Sequence, residues 1–280
     1  MTVFTPDQSA PLLVFGGPYS NLQATQAIQQ LAAEQQIPHQ NIICTGDLVA
    51  YCAQPDATVD LIREWGINVI AGNCEESIGQ GALDCGCGFT EGSACDLLSA
   101  QWYNFTLARV SEHNKAWMRQ LPEQLGFAYG GQRFTVIHGG LDSNNQFLFA
   151  SDSAVQKEQQ LHQSSSQVII SGHSGLPFGQ QTDAGYWLNA GVIGMPANDA
   201  TAQTWYMLIN RVNEQLVCTW HRLDYDHQQA AQQMAAAGLD NGYMTALSTG
   251  LWPSLDVLPA PERALTGHPL SLAPLIMPFA

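Results

Sequence analysis

Short aliphatic runs alternate with longer amphipathic stretches over the first half of the chain, and this rhythm sets the expected fold. Leu12-Leu13-Val14-Phe15 is apolar at every position, as a strand covered on both faces is. After a glycine turn, residues 22–36 place Leu22, Ile28 and Leu31 at helical spacing with glutamines opposite, and Ser20 or Asn21 serves as N-cap. A second strand is expected over residues 41–45, a helix over 56–65 behind Pro55, and a third strand over 67–71. This β-α-β-α-β order argues for an α/β protein with a parallel sheet and right-handed crossovers.

Residues 73–78 open another helix, residues 79–92 form a loop rich in Gly and Cys, and helices are expected over 93–103 and 112–121. From Arg133 the pattern turns strand-rich: 133–137, 167–171, 186–188 and 203–210, with a helix over 152–162. The last of these strands pairs with 215–223 through a turn at 211–214. An Ala/Gln helix over 226–237 precedes a proline-rich tail beyond Trp252, expected to be extended and either draped on the body or loose. The expected division is therefore a domain over 1–225 and a C-terminal helix and tail over 226–280.

Four of the strand-like runs end in the same way. Ile42-Ile43 leads to Cys44-Thr45-Gly46-Asp47, and Val69-Ile70 leads to Ala71-Gly72-Asn73. Val136-Ile137 leads to His138-Gly139, and Ile169-Ile170 leads to Ser171-Gly172-His173. The carboxyl ends of strands in an open α/β sheet share one rim, where ligands bind. Asp47, Asn73, His138 and His173 delivered to that rim are the donor set of a divalent or iron-type metal ion, with Mn, Fe, Zn and Ni equally compatible. The turn at 16–21 reads either as an anion-binding helix start, with Gly17, Tyr19 and Asn21 at a phosphate, or as a plain tight turn.

Charge narrows the partners. Lys and Arg total 9 against 24 Asp and Glu, a formal net charge of −15. Such a surface has no basic footprint for nucleic acid or for anionic membranes. No apolar run reaches membrane-spanning length and no secretory leader is visible at the start, so a cytoplasmic location is expected. The seven cysteines then read as something other than a disulfide framework. Cys74, Cys85, Cys87 and Cys95 form a candidate thiolate site for zinc or an iron–sulfur cluster, although Cys-x-Cys spacing matches such sites weakly.

From Leu12 to Met207 the chain resembles the compact bacterial members of the calcineurin-like metallophosphoesterase family. The resemblance rests on Gly46-Asp47-Leu48-Val49-Ala50-Tyr51, Gly72-Asn73-Cys74-Glu75, Ile137-His138-Gly139, Ser171-Gly172-His173-Ser174-Gly175 and Asn189-Ala190-Gly191. It implies a four-layer α/β/β/α sandwich with two metals at its rim and hydrolysis of a phosphomonoester or phosphodiester in a small phosphorylated substrate. Asp47 would bridge the metals, and Asn73, His138 and His173 would complete one site.

The positions expected to complete the other site carry Gly17, Tyr19 and Gly175, and the family's catalytic His falls on Cys74. The resemblance therefore implies a degenerate first site and a mononuclear centre. Tyr19 is either a phenolate ligand or, the favoured reading, a ring filling the emptied pocket. Cys74 is either a thiolate beside a cation or a small buried thiol, and Glu75 with Glu76 either an acid/base pair or first-turn helix residues. Asp47, Cys74 and Glu75 are the candidate catalytic residues. The competing functions are an inactive phosphoesterase-fold scaffold and a thiol-rich metal or redox protein. The oligomeric state is not legible.

Overall fold

The computed structural model describes residues 1–88, 92 and 94–279, with the backbone alone at Ala94, Asp96 and Leu97. Its strands are β1 (Thr2–Val3), β2 (Leu12–Phe15), β3 (Ile42–Cys44), β4 (Asn68–Val69), β5 (Leu125–Tyr129), β6 (Gln132–Val136), β7 (Val168–Ser171), β8 (Phe178–Thr182), β9 (Gly185–Asn189), β10 (Thr204–Val212), β11 (Gln215–Leu223) and β12 (Leu275–Pro278). Its helices are α1 (Leu22–Glu34), α2 (Pro55–Trp65), α3 (Asn73–Gln80), α4 (Ala94–Leu107), α5 (Glu112–Met118), α6 (Ala154–Ser164), α7 (His227–Ala236), α8 (Gly242–Thr249) and α9 (Ala260–Ala264).

These strands make two mixed sheets, ordered β1-β5-β6-β7-β9-β8 and β12-β11-β10-β2-β3-β4. Alternation along each strand explains why they stack. Leu12, Val14 and Ile43 of one sheet meet Phe134, Val136, Val168 and Ile170 of the other in a shared core. Leu13, Phe15 and Ile42 point the opposite way, into a core that includes Ala24 and Ile28 of α1 and Val59 and Ile62 of α2. Ile169 and Trp187 do the same toward Leu161 of α6. The expected α/β/β/α sandwich is present, and strands buried on both faces account for the continuous apolar runs.

The tail is neither loose nor wholly extended. β12 pairs antiparallel with β11, Cys218 opposite Leu275, and closes the edge of its sheet. Asp199 holds the approach to that strand: its carboxylate accepts from the Leu270 N–H at 3.1 Å and from Arg222 at 2.7 Å. Residues 89–91 of the expected cysteine-rich loop and Ser93, the expected start of the next helix, lie outside the described residues. Among the described residues no helix is long and apolar enough to cross a membrane.

Candidate metal centre

β3 ends at Cys44, and the next residues must turn sharply under the neighbouring strand end. Gly46 makes this turn at φ +91°, where a Cβ would lie 2.6 Å from the Gly72 nitrogen and 3.1 Å from His138 Nδ1. Asp47 and His173 also have left-handed backbones, at φ +57° and +53°, which non-glycine residues adopt mainly where surrounding structure imposes it. Two braces impose it here. The Glu75 carboxylate accepts from the Asp47 N–H at 2.7 Å, the Leu48 N–H at 2.7 Å and the Gly72 N–H at 2.8 Å. Asn189 donates from Nδ2 to the Gly172 carbonyl at 2.9 Å and to Ser174 Oγ at 3.0 Å, fixing the turn around His173.

The four predicted donors meet at one point. His138 Nδ1 lies 2.6 Å from the Thr45 carbonyl oxygen, which can only accept, so Nδ1 carries hydrogen and Nε2 presents a lone pair. Around that Nε2 sit Asn73 Oδ1 at 3.1 Å, His173 Nδ1 at 3.2 Å and Asp47 Oδ2 at 3.3 Å. The Asn73 amide is oriented by its own donor, Nδ2, which bonds the Cys85 carbonyl at 2.9 Å and leaves Oδ1 facing the cluster. Ligand atoms of Asp47, His138 and His173 all lie within 4.8 Å of one another, and all three residues are buried.

Converging lone pairs need positive charge between them. Burial works against protonating His138, but the adjacent Asp47 carboxylate raises its pKa above the usual imidazole value. Burial and the nearby His138 drive His173 the other way, down to about 3. One proton therefore serves one imidazole and leaves the other unprotonated, whereas a metal ion satisfies both imidazoles, the carboxylate and the amide oxygen together. The residues present fit a cation.

The family model described as a calcineurin-like phosphoesterase superfamily domain matches residues 20–214, well over half of the chain. The chain belongs to that superfamily. Among solved structures, it resembles a hypothetical protein from Pyrococcus horikoshii OT3 at 15% identity and a TM-score of 0.73, covering 86% of this chain and 98% of that one. It also resembles a metallophosphoesterase from Sphaerobacter thermophilus at 19% identity and a TM-score of 0.64, covering 87% and 100%. Identities this low speak to the fold alone. No curated protein matches the chain.

The positions that the resemblance implies for the other metal, Gly17, Tyr19 and Gly175, are bridged by a ring. A Cβ at Gly17 would fall 2.6 Å from Tyr19 Cζ, so the phenol takes the room of a residue-17 side chain. The Tyr19 hydroxyl lies 3.9 Å from where a Gly175 Cβ would sit. Tyr19 thus spans the gap between two of the expected ligand positions. Burial, with help from Asp47 and Cys74, pushes its hydroxyl well above the usual phenol range in the absence of a cation.

Of the two readings of residues 16–21, the structure shows the plain tight turn rather than free N–H groups for a phosphate. The N–H groups of Gly16, Gly17, Tyr19, Ser20 and Asn21 are each donated to a backbone carbonyl, and Pro18 has none. The Asn21 side chain caps α1 through the Ala24 N–H and bonds the Gly194 carbonyl. Of Gly17, Tyr19 and Asn21, only Tyr19 faces the cavity above the centre. The turn is tight because it packs β2 against the Asp47 loop.

Cys74 and Glu75 are beside the centre but not in the cavity. Burial, then Asp47 and Glu75, push the Cys74 thiol well above its usual value, so it is a neutral thiol packed next to the ligands. Glu75, pushed up to about 7 by burial and Asp47, is spent on the three N–H groups it braces. Among the described residues the four candidate thiolates do not gather at one point. Cys85 and Cys87 are joined by a disulfide, and Cys74 and Cys95 are separate buried thiols.

The sequence reading missed the walls. Tyr51, Phe147, Tyr243 and Trp252 line the cavity over Asp47, Asn73 and His173. They come from loops and from the C-terminal region, with no common spacing. Trp252 is placed by its Nε1, which donates to the Pro196 carbonyl at 2.6 Å, and by its N–H on Asn198 Oδ1 at 2.9 Å. The sequence signals were Tyr51, at the end of the Gly46–Tyr51 motif, and an isolated Trp at the edge of a proline-rich tail.

Proposed function

We propose that this chain is a metal-dependent phosphoesterase acting on a small phosphorylated substrate at a single cation held by Asp47, Asn73, His138 and His173. The observation that carries the reading is the meeting of three foreign donor atoms around His138 Nε2, at the floor of a cavity, in a chain of the calcineurin-like superfamily. A cation bound there would supply Lewis-acid charge to a phosphoryl oxygen and lower the pKa of a bound water.

The chain's own residues define what remains. Thr45 fixes the tautomer of His138, Cys85 fixes the Asn73 amide, and Glu75 and Asn189 hold the strained turns that aim Asp47 and His173. In hydrolysis a water oxygen adds to phosphorus, the bond to the ester oxygen breaks, and that oxygen must gain a proton. Cys74 stands where the superfamily's acid would be, as a neutral thiol outside the cavity, so the leaving oxygen takes its proton from solvent. Loss of such an acid costs about 10²–10⁴-fold in rate, and activity is confined to substrates with good leaving groups.

The test is hydrolysis of bis(4-nitrophenyl) phosphate by protein purified with Mn²⁺, against Asp47→Ala. Turnover lost in the variant is expected; equal turnover in both refutes the reading. A second reading, a phosphoesterase body kept as a binding module, is favoured by one observation, the Tyr19 ring in the neighbouring metal position. Bound metal with no turnover of any ester selects it.

A further inference from the structure

The cavity over the centre is unusual in what it lacks. No Lys or Arg lines it, although all nine lie among the described residues. Each has a partner elsewhere, from the Arg63–Asp60 pair and the Arg109–Phe105 stack to buried Lys157 on the Phe149 carbonyl and the Arg222–Asp199 pair. The only positive charge available to an anion at this site is therefore that of the cation. A divalent ion beside the Asp47 carboxylate leaves a net charge near +1. The chain's excess of acidic residues repels multiply charged anions at longer range.

What the cavity offers instead is ring surface. Tyr51 meets Tyr19 edge-on at 4.8 Å between ring centroids and Tyr243 at 4.3 Å, forming one wall. Phe147 packs against the His173 ring at 4.3 Å, beside the donor cluster. Trp252 closes the cavity from the tail, and Gly175 leaves space between its indole and the Tyr19 hydroxyl, 3.8 Å and 3.9 Å from where a Cβ would be. Aromatic walls next to a weakly positive centre hold planar groups by stacking and exclude water from them.

We infer that the site selects a singly charged phosphodiester bearing a planar aromatic substituent, over phosphomonoesters and polyphosphates. This deepens the phosphoesterase reading and rests on it for the location of the phosphoryl group. Trp252 and Phe147 are the specificity-determining residues, and the diester's single negative charge matches the single uncompensated positive charge.

The test is equilibrium binding, by calorimetry on the full chain with Mn²⁺, of diphenyl phosphate, dimethyl phosphate, phenyl phosphate and inorganic pyrophosphate. At about pH 8 phenyl phosphate is a dianion, its second pKa being about 6. Diphenyl phosphate is expected to bind at least about tenfold more tightly than the other three. Trp252→Ala is expected to weaken diphenyl phosphate about tenfold and leave dimethyl phosphate unchanged, with Trp252→Phe restoring most of the loss. Phe147→Ala is the second variant, because Trp252 also anchors the tail, and a thermal melt reports the folding of both variants. Tighter binding of phenyl phosphate or pyrophosphate, loss of both diesters alike, no response to either variant, or no binding of any probe overturns the inference. Selective diester binding without hydrolysis of bis(4-nitrophenyl) phosphate keeps the ligand class and removes the hydrolase reading, so the two fail separately.

Discussion

His138 Nδ1 sits 2.6 Å from the carbonyl oxygen of Thr45, two residues before Asp47. This one contact makes Nε2 the acceptor, and it is Nε2 that faces Asp47, Asn73 and His173. Apart from metal, the positive charge among these donors comes from a proton on His138, whose pKa is raised by Asp47 despite burial. That proton pair stabilises the metal-free fold below the ordinary imidazole value and is lost as pH rises through the raised one. A cation must displace it. The increase in melting temperature on adding Mn²⁺ should therefore be larger at about pH 8 than at about pH 6. A shift independent of pH, measured by differential scanning fluorimetry, contradicts this arrangement.

The Glu75 carboxylate accepts from three buried backbone N–H groups, and on the proposed reading it is a brace rather than an acid. Glu75→Gln leaves one acceptor oxygen for three buried N–H donors and adds an amide donor among them. A loss of about 2–4 kcal/mol in urea unfolding is expected, with weakened metal retention. A variant as stable as the parent, but inactive, returns Glu75 to the catalytic set.

On the proposed reading Tyr19 fills space rather than binding metal. Tyr19→Phe should keep the same metal content per chain as the parent, since no phenolate ligand is lost. Gly17→Asp should be poorly folded, costing about 2–4 kcal/mol, because the ring occupies its side-chain volume and its backbone is left-handed at φ +44°. Elemental analysis and thermal melts read both. Metal lost in Tyr19→Phe makes the phenol a ligand.

Asp199 ties the tail to the body. Against the cost of burial, Thr201, Arg222 and the Leu270 N–H hold its carboxyl below the ordinary range. Such a group contributes stability above the unfolded value of about 3.8, and the contribution disappears as pH falls through the lower folded value. Asp199→Asn should cost about 1–3 kcal/mol at neutral pH and progressively less in acid, where the parent is protonated too. A penalty constant down to about pH 2 contradicts it.

What could be read from the residues was the part governed by local rules. The ligand quartet was legible because each member ends an apolar run with a glycine neighbour, and strand ends share a rim whatever the loops do. β1, β5, β8 and β12 were not. Phe178–Thr182 has glutamines where a strand pattern needs apolar alternation, and Leu275–Pro278 ends in proline within a proline-rich tail. Both are edge strands, and both pair because a neighbour supplies the hydrogen bonds. Of the two readings of the 16–21 turn, the plain tight turn holds, for a related reason. Its glycines predicted free N–H groups, but the turn is buried against the Asp47 loop and Gly191, which consume them. The aromatic walls depend on tertiary packing of distant loops and carry no periodic signal.

The central claim is one cation, held by four side chains, with its neighbour's place taken by Tyr19. Anomalous diffraction from crystals of Mn²⁺-loaded protein tests it most directly. The account predicts a single peak among Asp47 Oδ2, Asn73 Oδ1, His138 Nε2 and His173 Nδ1. Two peaks flanking Asp47, or a single peak on the Tyr19 side, contradict it.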